Sequence, residues 1–259
     1  DRLPKPQSFD DLHSSQAEVL DAWFSNRNKK DTVIKLNTGG GKTLIGLLIA
    51  LSSARELKRG ALYLVDNKQL VHQVCEQART LGIPASEYNG RKSLTADCRN
   101  GSTILVAHYQ ALFNGKSSFG LEGEPETEEV SVIVIDDAHS SFDSVRSAFT
   151  VEINASDSPS LYQEVTTLFR SSFDDIDRVS TFDDFVSGTR TAGEEVLEVP
   201  FWAWDKHRQK VARIISDFAA SNEEDTPTGN SINFGWDLIK DDLKYCLATL
   251  SRVRFSITP

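Results

Sequence analysis

The sequence contains no methionine and only three cysteines, Cys75, Cys98 and Cys246, scattered without a C-x-x-C pair. That spacing excludes a disulfide framework and a cysteine-based zinc site, and it fits a reducing, cytoplasmic compartment. A chain that starts at Asp1 and lacks methionine altogether is expected to be a processed or excised piece of a longer protein. Long apolar runs are missing too. The nearest, Leu44 to Leu51, falls far short of the ~20 residues that span a bilayer, and no charged-then-apolar leader opens the chain. No membrane partner is expected. Internal repeats and sustained heptads are also absent, which excludes solenoid and coiled-coil architectures.

What is present suits a globular protein. The chain has 259 residues, 39% of them apolar and 25% charged, enough for one large domain or two small ones. Its formal charge of −10 is unevenly spread. Residues 1–121 carry 16 Lys and Arg against 11 Asp and Glu, whereas residues 122–259 carry 12 against 27. The two parts are expected to do different jobs, and a net-acidic chain can still hold a basic groove for phosphates.

Residues 1–141 read as an α/β unit. Ser14 and Ser15 are candidate caps for a helix in which Ala17, Leu20, Trp23 and Phe24 recur at helical spacing. "TVIKL", from Thr32, reads as a strand, and "KTLIGLLIALSSARELKR" as a helix apolar almost all round and so largely buried. "GALYLV" from Gly60 is a second strand, with a helix from about Lys68 to Leu81 behind it. "STILVAHYQALF" begins as a third strand, and "EVSVIVIDDAH" gives a fourth, expected to be buried. Alternation of this kind predicts a parallel sheet with helices on both faces. "LEGEPETEE", just before the fourth strand, reads as a solvated acidic turn.

Chemistry concentrates in two places. "KLNTGGGKTLIG", from Lys35, leads from the first strand into the long helix. Glycines there let backbone N–H groups approach phosphate oxygens with no Cβ in the way. Thr38, Gly39, Gly40, Gly41, Lys42 and Thr43 are therefore candidate nucleotide-binding residues, with Lys42 on the β/γ-phosphates and the Thr43 hydroxyl on Mg²⁺. Leu36 stands where the general phosphate-loop pattern has its first glycine. The second place is "VIVIDDAH", whose Asp136 lies 94 residues after Lys42 and which sets two carboxylates at the carboxyl end of a strand. Asp136 is expected to hold the metal with Thr43, and Asp137 to orient the attacking water.

"TGGGKT" with "DDAH" resembles motifs I and II of superfamily-two helicases, the DEAD/DEAH-box group, with Asp137 where that group carries Glu. The resemblance covers about residues 8–140. It implies a RecA-like ATP-binding domain, ATP and Mg²⁺ as cofactors, and nucleic acid, DNA or RNA, as partner. "LHSSQAEVL" resembles the adenine-recognition motif, which makes Gln16 the candidate base reader. His139 is implied to link the ATP site to a second motor domain, expected in the intact chain. "LYLVDNKQLVHQV" and "ILVAHYQALF" resemble the segments that touch the nucleic-acid backbone, pointing to Lys68, Gln69, His72, Gln73, Tyr109 and Gln110. The absent first glycine is ordinary in this superfamily. The texture is similar to bacterial members, including those of phage-defence or restriction systems.

Residues 142–259 read as an acidic, mostly helical inserted module, comparable to the helical arch of the iron–sulfur repair helicases. Val211, Ile214, Ile215 and Phe218 share one helical face, as do Ile239, Leu243, Leu247 and Leu250. "SNEEDTPTGN" is a polar loop between them, and "RVRFSITP" is expected to be a strand returning toward the first sheet. "VPFWAWDKHRQK" allows either a small core built on Trp202 and Trp204 or base stacking with phosphate contact. Only Cys75 and Cys98 lie between the two motifs, so no iron–sulfur cluster is expected. No third helicase motif and no second motor domain is found, and weak hydrolysis is expected of this chain alone. Two rivals to a motor stay open: a nucleotide-gated clamp on nucleic acid, and a helicase-fold regulatory subunit of an effector protein.

Overall fold

The computed structural model describes residues 12–37, 39–113, 117–119, 128–187, 196–221, 232 and 235–259. The chain divides into two units, Asp1–Val145 and Arg146–Pro259.

The first unit starts with α1 (Ser14–Asn26), capped by His13 rather than by the serines that follow it. The His13 N–H donates to Gln16 Oε1 at 3.2 Å, tying off an N–H at the helix start. Next come α2 (Lys42–Leu57), β1 (Gly60–Val65), α3 (Lys68–Thr80), β2 (Ala85–Glu87), α4 (Ala96–Arg99), β3 (Ile104–His108), α5 (Tyr109–Leu112), β4 (Val130–Ile135) and α6 (Ala138–Ala148). The strands form one parallel sheet in the order β2-β3-β1-β4. β1 is central and wholly buried, and its alternating side chains feed two cores. Ala61, Tyr63 and Val65 face Leu44, Leu47 and Leu51 of α2 and Val71, Val74 and Ala78 of α3. Leu62 and Leu64 face Leu105, Ala107, Tyr109 and Phe119 on the other side. Leu47 is fully buried, so truncating it to alanine would cost about 2–5 kcal/mol.

Two expectations fail here for one reason. β4 is the outermost strand among the described residues, and Ile133 and Ile135 are 40% and 42% exposed rather than buried. The Thr32–Leu36 segment forms no strand, and Val33 is 94% exposed. A strand needs a neighbour to pair with; none of the described residues lies beside this segment in a ladder.

The second unit is mostly helical and also contains a sheet that the sequence pattern did not show. Its elements are β5 (Val151–Asn154), α7 (Pro159–Thr167), α8 (Arg170–Asp174), α9 (Val179–Ser187), β6 (Leu197–Glu198), α10 (Phe201–Ser221), β7 (Leu247–Leu250) and β8 (Arg254–Thr258). The strands pair antiparallel in the order β5-β8-β7-β6. β8, expected to return toward the first sheet, joins β5 and β7 of this one. Its Phe255 and Ile257 lie opposite Ile153 and Val151 and turn into a core with Phe169, Trp204, Val211 and Ile215. Phe169 stacks on Trp204 and on Phe255 at 6.4 and 5.7 Å between ring centroids, and the Trp204 indole N–H reaches the Leu243 carbonyl at 3.0 Å. Trp204 is thus a core residue, while Trp202 and Phe201 are 45% and 64% exposed. Ile239, Leu243, Leu247 and Leu250 do not share one helix, because Leu243 lies in a 3₁₀ turn and the last two in β7. The "SNEEDTPTGN" stretch after Ser221 and most of "LEGEPETEE" lie outside the described residues.

Candidate nucleotide and metal site

The glycine loop narrows into the first turn of α2. Gly39 and Gly41 hold φ angles of 81° and 77°, a left-handed conformation that costs a non-glycine residue roughly 1–2 kcal/mol. Gly41 caps α2, and its carbonyl accepts the Ile45 N–H at 3.1 Å. Lys42 and Thr43 follow as the first two helical residues. No acidic side chain occupies that first turn, so the positive end of a 16-residue helix and its free N–H groups face the loop. Thr38 lies outside the described residues.

Gln16 sits on this loop. It is buried, and its amide nitrogen donates to the Gly40 carbonyl at 3.2 Å while its oxygen holds the His13 N–H. A Cβ on Gly41 would lie 2.3 Å from that nitrogen. Glycine at 41 is required twice over, by backbone angle and by the closeness of Gln16.

Asp136 continues β4 alongside β1, its N–H donating to the Leu64 carbonyl at 2.9 Å. Burial raises its carboxyl above the ordinary carboxylate range; the neighbouring Tyr63 phenol and the charge of Lys42 pull it back, and Asp137 pushes it up. Lys42 is therefore close enough to act on Asp136, which brings the two sequence motifs to one place. Near them lies Tyr63, 1% exposed. Burial, followed by the neighbouring Asp136, holds the Tyr63 phenol far above its ordinary range, so it remains a donor.

A second tyrosine approaches from the opposite face of the sheet. Tyr109 is fully buried, and its hydroxyl donates to the backbone carbonyls of Asp136 and Asp137, the latter at 3.0 Å. This corrects the expectation that Tyr109 touches nucleic acid. The Asp137 carbonyl also accepts the Ser141 N–H at 3.2 Å, so the buried phenol is a second partner there.

Asp137 adopts a φ of 55°, in the left-handed region. Its carboxylate turns to the start of α6, accepting the His139 N–H at 3.2 Å and the Ser140 hydroxyl at 3.3 Å. His139, the second residue of α6, is exposed.

The candidate nucleic-acid residues divide. Lys68, Gln69, His72 and Gln73 are all exposed on one side of α3, whose other side buries Val71, Val74 and Ala78. Asn67 caps that helix through the Leu70 N–H at 3.0 Å. His72 contacts Glu87 at 3.0 Å. Gln110 is exposed and bonds His108 at 2.9 Å. α3 and α5 follow the carboxyl ends of neighbouring parallel strands, so these side chains share the edge of the sheet with the acidic pair.

Sequence reasoning passed over Tyr63. The signal was there: one hydroxyl-bearing residue in the otherwise apolar "GALYLV", where a buried phenol must find a partner.

Among solved structures, that of S. tokodaii Xpd4 is similar to this chain, with a TM-score of 0.54 at 14% identity, covering 95% of this chain and 52% of that one. The likeness is one of fold, and this chain spans about half that protein's length. No curated protein is matched. The family model described as type III restriction enzyme, res subunit, matches residues 10–173, which take in the glycine loop, the acidic pair and more than half of the sequence. The chain belongs to that family.

Proposed function

We propose that this chain is the first motor part of a superfamily-two helicase or translocase that hydrolyses ATP with Mg²⁺ to move on nucleic acid. The observation that carries the reading is the meeting of the glycine loop, Lys42 and Thr43 with Asp136 at the carboxyl edge of a parallel sheet. Family membership supports an ATP-dependent helicase-type activity, and the family's description supports a place in a restriction or phage-defence system. A second RecA-like domain in the intact protein would supply the arginine that completes the ATP site.

The residues fit the metal. Thr43 and Asp136 offer hard oxygen ligands, and the half-buried Asp136 carboxyl, which burial holds above the ordinary carboxylate range, gains from a cation beside it. Bound with the nucleotide, Mg²⁺ supplies neutralisation of charge on the β- and γ-phosphates. Gly39 to Gly41 and the start of α2 offer N–H groups to the phosphates, and Lys42 offers its ammonium. Asp137 is the residue to orient the attacking water, His139 the one to report to the second motor domain, and Gln16 the one to read adenine on leaving Gly40. Lys68, Gln69, His72, Gln73 and Gln110 form the surface offered to the nucleic-acid backbone.

A nucleotide-gated clamp is favoured by one observation, the engagement of the Asp137 carboxylate with α6. Steady-state hydrolysis by the intact protein, with and without single-stranded DNA or RNA, separates the two. A motor shows turnover that rises with nucleic acid and collapses in Asp137→Ala. Turnover indifferent to both leaves the clamp.

A further inference from the structure

α10 buries one side and turns the other to water. Ala203, Trp204, His207, Val211 and Ile215 are buried within the second unit. On the opposite side Trp202, Lys206, Gln209 and Arg213 recur at i, i+4, i+7 and i+11, with Lys210 beside them, and all five are exposed. Phe201, next to Trp202 in the first turn, is exposed as well. A single exposed aromatic needs no explanation. Two together, at the head of a row of cations, do.

The cations are an independent observation. Residues 146–259 carry 12 Lys and Arg against 19 Asp and Glu, so carboxylates are in excess. Elsewhere in this unit Arg170, Lys240 and Arg254 take Asp183, Asp237 and Glu152 as partners. Lys206, Lys210 and Arg213 form no ion pair among the described residues. On α10 itself, Asp205 is occupied by Arg208 at 3.2 Å, and Asp217, one turn past Arg213, bounds the row. Three unpaired positive charges thus share one helix face of a net-acidic unit. From Trp202 to Arg213 the helix rises about 16 Å, room for a short run of stacked nucleotides at ~3.4 Å each.

We propose that this face of α10 is a contact site for single-stranded nucleic acid, with bases stacking on Trp202 and Phe201 and phosphates lying along Lys206, Lys210 and Arg213. The chemistry of the row selects the ligand. Regularly spaced anionic charge answers the cations and a flat π-face answers the aromatics, and a nucleic-acid strand carries both. An acidic protein segment supplies the first without the second. A membrane seat needs the apolar side of a helix, and here that side packs in the core with Trp204, Val211 and Ile215. The site lies on the second unit and does not depend on the ATP site.

The test is a fluorescence-anisotropy titration of the intact protein, without ATP, using labelled mixed-sequence single-stranded DNA and RNA over a range of salt. Trp202→Ala is expected to weaken binding about tenfold at every salt concentration. The triple variant Lys206→Ala, Lys210→Ala, Arg213→Ala should flatten the slope of log affinity against log salt by about 2, at ~0.7 for each phosphate. Because the side chains are exposed, thermal melting of these variants should match wild type. The strand bound more tightly identifies the ligand as DNA or RNA. An unchanged affinity and salt slope in the triple variant would overturn the proposal. So would full affinity in Trp202→Ala beside a loss in the triple variant, because cations that act without stacking fit an acidic protein segment instead. Failure of the wild type to bind either strand overturns it as well.

Discussion

Asp137 is one methylene shorter than the glutamate of the DEAH pattern, and the structure shows what an aspartate does at that position. Short carboxylates are among the best N-terminal helix caps, and this one takes the His139 N–H and the Ser140 hydroxyl at the start of α6. A glutamate reaches about 1.5 Å further and caps poorly. We therefore expect Asp137→Glu to lower the stability of the first unit by about 1 kcal/mol while raising the rate of ATP hydrolysis, read by thermal melting and steady-state turnover. A variant that is slower and no less stable would contradict this division of labour. Gly41 makes a second point of the same kind. Gly41→Ala meets a φ of 77° and the Gln16 amide together; the first costs roughly 1–2 kcal/mol, and the second disappears in a Gln16→Ala background. Melting of the single and double variants should show partial recovery in the double, leaving the backbone cost alone.

The strands and helices around the site were largely legible in the sequence, and the exceptions have physical causes. β1, β3 and β4 announce themselves as apolar runs at the carboxyl ends of which polar residues begin, and α3 shows its buried Val71, Val74 and Ala78 at helical spacing. "TVIKL" has the composition of a strand, but composition cannot supply a partner, and the segment lies unpaired. In the second unit, β5, β6 and β7 have only 4, 2 and 4 residues, too few for an alternation to stand out from helical neighbours. Tyr109 misled for a different reason. An aromatic beside polar residues after a strand looks like a surface contact, and only tertiary structure shows it turned inward onto β4. Its hydroxyl joins the start of α5 to the end of β4, so Tyr109→Phe should cost about 1 kcal/mol, measured by denaturant unfolding. Turnover should fall while the KM for ATP stays, because the residue sets the Asp136–Asp137 backbone without touching nucleotide. An altered KM with unaltered kcat would contradict that role.

Over the whole chain, the two units have separate cores and both are net acidic, with 16 Lys and Arg against 19 Asp and Glu in residues 1–145 and 12 against 19 in residues 146–259. The first collects the chemistry. The second has a core of stacked aromatics and one unusual member, His207, which is buried with neither ring nitrogen hydrogen-bonded among the described residues and packs edge-on against Phe169 at 5.6 Å. Burial, and then the charges of Lys206 and Lys210, lower its pKa from the ordinary value of 6.5. In the unfolded chain the ring takes its proton first as the pH falls. Stability is therefore full above about pH 6.5 and declines below it until the folded ring is itself protonated. His207→Phe should flatten that part of the pH–stability curve of the second unit, followed by tryptophan fluorescence in denaturant; a slope left unchanged would assign the pH dependence elsewhere. In the first unit, the proposed function requires that the glycine loop and Asp136 make one ATP–Mg²⁺ site. The most direct test is binding of a non-hydrolysable ATP analogue with Mg²⁺ to the intact protein, to Lys42→Ala and to Asp136→Asn. Saturable binding in wild type, lost in Lys42→Ala and made independent of Mg²⁺ in Asp136→Asn, is the predicted result; equal binding by all three, or by none, would contradict it.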